Sequence, residues 1–179
     1  ANLDVTAAGN ISQSNGLTTT GNASFAATNI NLNTHTNDFL NLSLSGVNAT
    51  VTDNSSTNLS AANLSGDLTL TSTGDITDSG PLVVSGTTTL SSGNSITLDE
   101  AANDFATVTV ASTGNTVVLN DINTVNLGPI NAMSLTVTAG TNITQSGDLT
   151  SVNQASFNAA DVTLNSGTNN FGSLALTGT

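Results

Sequence analysis

Apolar and polar residues alternate along this chain with a period of two, and the alternation comes in blocks that return. Leu3–Ser14 reads LDVTAAGNISQS, Leu68–Ser79 reads LTLTSTGDITDS and Leu135–Ser146 reads LTVTAGTNITQS. The openings at Leu3, Leu68 and Leu135 are almost evenly spaced. Each block has apolar residues at its first and third positions, Thr at its fourth and Ile at its ninth. That spacing predicts a half-buried strand with Leu or Val inward and Asp or Thr outward, then a turn, then a second short strand carrying the Ile.

The rest of each block follows suit. Leu17, Ala23 and Phe25 are answered by Leu82, Thr88 and Leu90, and then by Leu149, Ala155 and Phe157. Ile30 and Leu32 match Ile96 and Leu98, then Val162 and Leu164. A tripeptide comes next: Asn37-Asp38-Phe39, Asn103-Asp104-Phe105 and Asn169-Asn170-Phe171. Asn and Asp tolerate the left-handed conformations of tight corners, so a core ring set just after a corner is expected here. Leu42 and Leu44 then match Val108 and Val110, and Leu174 and Leu176. In the first two copies Val51, Leu59 and Leu64 are answered by Val117, Val125 and Ile130. Single insertions near Ser92–Ser95 and near Met133 fall between apolar anchors, where a turn absorbs them without flipping a strand. Val, Ile, Leu and Thr dominate, the two prolines are Pro81 and Pro129, and Gly, Asn and Ser crowd every window. Strands are therefore expected throughout, and helix is disfavoured.

Short strands with two or three inward residues cannot make a sandwich centred on bulky rings, and aromatics are 3% of this chain, with no Trp or Tyr. They can pile up. The expected fold is all-β, a parallel β-helix or β-solenoid with about three coils per long repeat. Dividing the long repeat by three gives about 22 residues per coil and eight or nine coils, a rod of roughly 40 Å at the usual strand spacing. One coil buries too little to offset its conformational entropy, so neighbours must supply the stability. The chain is thus expected to be a single solenoid segment, 1–179, with internal repeats 3–67, 68–134 and 135–179, the last incomplete. The pattern is already running at Leu3 and still running at Leu176, which suggests a stretch of a longer repeat protein, or ends that meet in a filament. Asn side chains at corners, Asn10/Asn142 and the Asn37 tripeptide series among them, are candidates for stacked amide ladders.

Charge narrows the partners. There is no Lys or Arg, Asp and Glu number 12, and the formal net charge is −12. Such a surface does not displace counterions from phosphate, so nucleic acid is not an expected partner. It gains nothing from anionic lipid headgroups either. No run approaches a membrane span, so membrane insertion is not expected. Disorder would suit so polar a composition, but 36% of the residues are hydrophobic and they alternate. With no Cys there is neither disulfide frame nor thiol chemistry, and with no Lys or Arg trypsin finds no site.

Candidate chemistry is sparse. The single His35 lies in LNTHTND, a turn, without a partnering Ser, Cys or second His. Asp75/Asp78 and Asp99/Glu100/Asp104 are the densest carboxylates, yet the Lys, Arg, Tyr and Trp side chains that hold a sugar beside catalytic acids are lacking. Asp78, Asp99, Glu100 and Asp104 are hard oxygen ligands for calcium, but no DxDxDG loop is present. Asn-x-Ser/Thr triplets such as Asn10-Ile-Ser12, Asn22-Ala-Ser24 and Asn142-Ile-Thr144 follow from composition alone. Thr69/Thr71, Thr107/Thr109 and Thr136/Thr138 raise ice binding, which needs the pairs one coil apart on one side. Because they recur a long repeat apart, they are expected to be ordinary outward threonines. No catalytic, cofactor-binding or metal site is expected, and no cofactor.

The LTVTAGTNITQSGDLT stretch, the NASFAA and ADVTLN segments and the NDFxxLxL turn resemble the repeat region of large bacterial exoproteins of the filamentous haemagglutinin type, secreted through a partner outer-membrane protein. The resemblance spans essentially the whole chain. It implies a right-handed parallel β-helix, a place at the bacterial cell surface or outside it, and a shaft role in adhesion. The expected function is a rigid, protease-resistant structural segment of a secreted adhesin or fibre, not an enzyme. The alternatives are a subunit of a self-assembling extracellular filament and a glycan- or ice-binding solenoid. Expected partners are neighbouring repeats, other copies end to end, and host or surface glycans or proteins.

Overall fold

Ladders of parallel strands, each hydrogen-bonded to the strand one coil before and one coil after, run the length of the chain in a computed structural model that describes residues 1–111 and 115–178. Residues 112–114 of the second repeat and Thr179 of the third lie outside the described residues. Among those described there is no helix, and every strand pair is parallel. The fold is a β-solenoid of about 9 coils.

The winding begins with Leu3–Thr6 (β1) and Asn10–Ser12 (β2), both laid against Thr18–Asp53 (β3), which bends round almost two coils without losing its strand pairing. Thr57–Leu64 (β4), Leu68–Ser72 (β5), Ile76–Asp78 (β6), Leu82–Ser92 (β7), Ile96–Leu98 (β8) and Asp104–Ala111 (β9) carry it through the middle. Thr116–Asp121 (β10), Val125–Ala139 (β11), Asn142–Gln145 (β12) and Leu149–Asn158 (β13) follow, and Asp161–Val162 (β14), Asn170–Phe171 (β15) and Leu174–Thr177 (β16) complete it. The shortest step between register partners is Leu42 to Leu59, and among the longest is Val84 to Phe105. The coil is therefore shorter than a third of the long repeat.

The reason is that the long repeat holds more than three coils. The column that starts at Leu3 and Ala23 continues across β3, where the Asn41 amide bonds to Asn22, to Leu42 and Leu59. That is three coils, and Leu68 lies nearly half a coil beyond Leu59. Leu68 in turn pairs with Thr88, Thr88 with Val108 and Val108 with Leu127, and Leu135 again lies nearly half a coil beyond. Each repeat thus overshoots three coils by nearly half a turn. Equivalent residues of successive repeats fall on opposite sides of the rod, and the third repeat returns close to the first.

Inward positions are those the alternation marks. Leu42, Leu44, Leu59, Leu64, Leu70, Leu82, Leu90, Ile96, Leu98, Val117, Val125 and Ile130 are buried, and they belong to one continuous apolar cluster. Phe25, Phe39, Phe105 and Phe157 are its largest members, while Phe171 is half-buried against it. Phe25 meets Phe39 edge-on at 5.7 Å between ring centres, and Phe157 meets Phe171 at 6.0 Å. Leu174 and Leu176 point along the same inward columns but are 47% and 58% exposed, because the outermost coil is covered on one side only. The insertion near Met133 falls at a register shift, where Ala132 to Ser134 faces the longer step Ser151 to Gln154, and the Met side chain is exposed next to buried Ala132. The one near Ser92–Ser95 is a bend at Gly93-Asn94, and Pro129 occupies another register shift, where no ladder donor is needed.

Candidate functional site

Polar side chains do most of their bonding between coils, and the strongest of these contacts recurs once per repeat. The Asn of the corner tripeptide turns inward. In the first repeat Asn37 is buried; its Oδ1 accepts from the Leu17 amide at 3.0 Å and from Gln13 Nε2 at 2.8 Å. Its Nδ2 donates to Gln13 Oε1 at 3.1 Å and to the Leu32 and Thr52 carbonyls, each at 2.9 Å. In the third repeat Asn169 Oδ1 accepts from the Leu149 amide at 3.0 Å, and the Asn pairs both ways with Gln145. In the second, Asn103 Oδ1 accepts from the Leu82 amide at 2.9 Å and its Nδ2 donates to Asp78 Oδ2 at 2.6 Å. Gln13, Asp78 and Gln145 all hold the eleventh position of the opening block. The tripeptide is legible in the sequence as a corner. Its partner is legible too, as a polar residue fixed at one place in all three copies, but alternation alone gives no reason to join the two.

Burial of the Asp78 carboxyl raises its pKa; the Asn103 amide and the Asp99 and Glu100 backbone N–H groups oppose the shift, and the Asp99 charge adds to it. Two buried carboxylates that the alternation does not single out form a second recurring device. Asp53 accepts from the Phe39 amide at 3.3 Å and from Thr57 Oγ1 at 2.7 Å, and Asp121 accepts from the Phe105 amide at 2.7 Å. Each also caps its own turn through the amide two positions on, Ser55 or Asn123. Burial raises the pKa of both, against the hydrogen bonds that favour the charged form. Both lock the phenylalanine that follows the corner.

The remaining acids do not converge. Asp75 receives the Ser95 amide, Asp104 receives the Asn123 side-chain amide, and Asp99 and Glu100 give their own amides to Asp78. Among the described residues no three His, Cys, Asp or Glu side chains come together as a metal site would need. His35 is exposed and bonds to the Thr34 hydroxyl at 3.0 Å. Asp148, on the surface, has its pKa lowered by the Ser166 and Thr168 hydroxyls. No helix among the described residues is long and apolar enough to cross a membrane.

Asparagine ladders exist, but at one-coil spacing. Asn29 donates to Asn10 and Asn48 to Asn29, each at 2.9 Å, and Asn48 then accepts the Asp67 amide. A second ladder runs through Asn22, Asn41, Asn58 and Thr77. Asn142 and the tripeptide Asn residues belong to neither.

The threonines are placed otherwise than their repeat spacing suggests. Thr69 stacks between Thr50 and Thr89, and Thr89 stacks on Thr109. Thr71 stacks between Thr52 and Ser91, and Thr87 on Thr107. Thr136 and Thr138 lie on a different strand face, beside Val118 and Asn120. The half-turn left over by each repeat separates what the alignment pairs and unites what it does not.

A family described as "Repeats of unknown function (DUF5649)" matches residues 1–45, 46–112 and 114–177. Its boundaries at 46 and 114 precede the openings at Leu68 and Leu135 by little more than one coil. No curated protein and no solved structure matches the chain.

Proposed function

For a chain that belongs to the DUF5649 repeat family and stacks its coils on one unbroken core, we propose the role of a rigid shaft segment in a secreted, cell-surface bacterial adhesin or fibre. The observation that carries this reading is the continuity of the core from coil to coil, with polar ties joining successive coils. Length, stiffness and resistance to proteases are then the working properties. The reading includes no catalysis. The resemblance of the repeats to filamentous haemagglutinin-type shafts supports an extracellular place, and the net negative charge without any Lys or Arg supports a partner other than nucleic acid.

Two measurements test it. Small-angle scattering of the isolated chain should give a rod about 40 Å long, from about 9 coils at the usual strand spacing. Antibody labelling of intact producing cells should find the segment outside. A set of beads on hinges, or a protein confined to the cell interior, would end the shaft reading.

A further inference from the structure

One side of the rod carries a regular field of hydroxyl groups. Thr50, Thr69, Thr89 and Thr109 form one outward column; Thr52, Thr71 and Ser91 form the next; Thr87 and Thr107 extend the field on the other side. The pairings Thr50–Thr69–Thr89–Thr109 and Thr52–Thr71–Ser91 run without a register shift. Behind them Leu68, Leu70, Leu90, Val108 and Val110 are buried, so the backbone that carries the field is held by packing. Columns step about 4.8 Å from coil to coil and about 6.6 Å between alternate positions of a strand. The result is a two-dimensional lattice of hydroxyl groups, each paired with a methyl except at Ser91.

These side chains are half-exposed, and the hydroxyls of Thr50, Thr52, Thr69, Thr71 and Thr89 bond to no protein group. In the asparagine ladders the outward polar groups satisfy one another; here they are left open. Threonine is stiff about χ1, so its hydroxyl and methyl are already set and little rotamer entropy is lost when they are held. The Thr50–Thr109 and Thr52–Ser91 columns carry no charge; Asp67 stands beside them, one coil before Thr87, and its carboxylate accepts the Thr87 amide. A matching surface is therefore neutral, periodic in two directions, and able both to hydrogen-bond and to enclose methyl groups. A sugar crystal is the other neutral, periodic candidate, but it calls for an aromatic ring to stack on, and the five Phe side chains pack with the core. We infer that the Thr50–Thr109 field is an ice-binding face that orders water into a lattice continuous with the crystal. This inference is independent of the shaft reading, since a shaft without the field would be as stiff.

The test is ice growth in the presence of the purified chain, followed by thermal hysteresis and by inhibition of recrystallisation. Thr69→Tyr places a ring in the centre of the field; Thr136→Tyr makes the same change on another face. The wild-type chain and Thr136→Tyr should shape ice and hold a hysteresis gap, and Thr69→Tyr should lose it while keeping its circular dichroism and melting temperature. Should Thr69→Tyr fold poorly, Thr89→Tyr interrogates the same field. The inference is overturned by a wild-type chain without effect on ice, by a folded Thr69→Tyr or Thr89→Tyr as active as wild type, or by binding to crystalline cellulose or chitin without any ice activity.

Discussion

Thr88 is a hydroxyl in a column of hydrocarbon. It lies between Leu68 and Val108, fully buried, and its Oγ1 has no hydrogen-bond partner. An unsatisfied buried hydroxyl costs about 1–3 kcal/mol, and valine keeps the branched shape without it. Thr88→Val should therefore stabilise the fold by about 1–2 kcal/mol in a denaturant titration; a loss of stability would mean that the hydroxyl has found a partner. The buried carboxylates set a pH dependence. Asp53, Asp78 and Asp121 have raised pKa values, chiefly from burial, so the folded state binds their protons more readily than the unfolded chain does. Their contribution is fully present below the ordinary Asp value of 3.8 and is lost as pH rises through the raised values. Asp148, with its lowered pKa, works in the opposite sense, but it is fully exposed and water screens it. Acid also cannot charge this chain strongly positive, for it has no Lys or Arg and a single His. Melting should thus occur at a higher temperature near pH 3 than near pH 7, the reverse of ordinary acid denaturation. Calorimetry at the two values decides it.

A single strand shows how far alternation governs a coil. In Leu68–Ser72, Leu70 is fully buried and its neighbour Thr71 is half-exposed. Leu70→Asp buries an unpaired charge in a chain without Lys or Arg and should cost about 3–5 kcal/mol, enough to open the neighbouring coils. Thr71→Asp should cost within about 0.5 kcal/mol. Equal losses for the two, measured by thermal melts, would contradict the facing. Coils vary in length because corners and bulges absorb the difference. At Gly46 an added Cβ would collide with the Ala27 carbonyl of the coil before, so the backbones approach there as only glycine permits. Buried residues resume on both sides of such irregularities, Ala132 before the shift and Leu135 after it, which is why the insertions near Ser92 and Met133 leave the core intact.

The whole rod is governed by a mismatch between two periods. The long repeat is not a whole number of coils, so each repeat turns its features to the far side of the last. The Gln13–Asn37 and Gln145–Asn169 ties fall near one side and the Asp78–Asn103 tie on the other. Reinforcement is thereby spread around the rod. The threonine field arises from the same mismatch, since it joins Thr50 and Thr52 of one repeat to Thr69, Thr71, Thr87 and Thr89 of the next. Stability follows from neighbour contacts alone, as in other solenoids, and no long-range closure is required.

By itself the sequence determined the strands, their facing and the piling of coils, because a period of two and a recurring block are local properties that the backbone must obey. Ile30, Leu70 and Phe105 face inward as the alternation alone requires. The coil length could not, since it is set by where each corner closes against the coil below, and a long repeat divides as readily by three as by three and a half. Which residues stack on which was therefore decided only in the folded chain. That decision ties Gln13 to Asn37, places Asp53 and Asp121 on backbone amides, and sets Thr50, Thr69 and Thr89 side by side. Contacts between coils join positions such as Asn29 and Asn48, a full turn apart, and nothing in the chain's own alternation measures that distance.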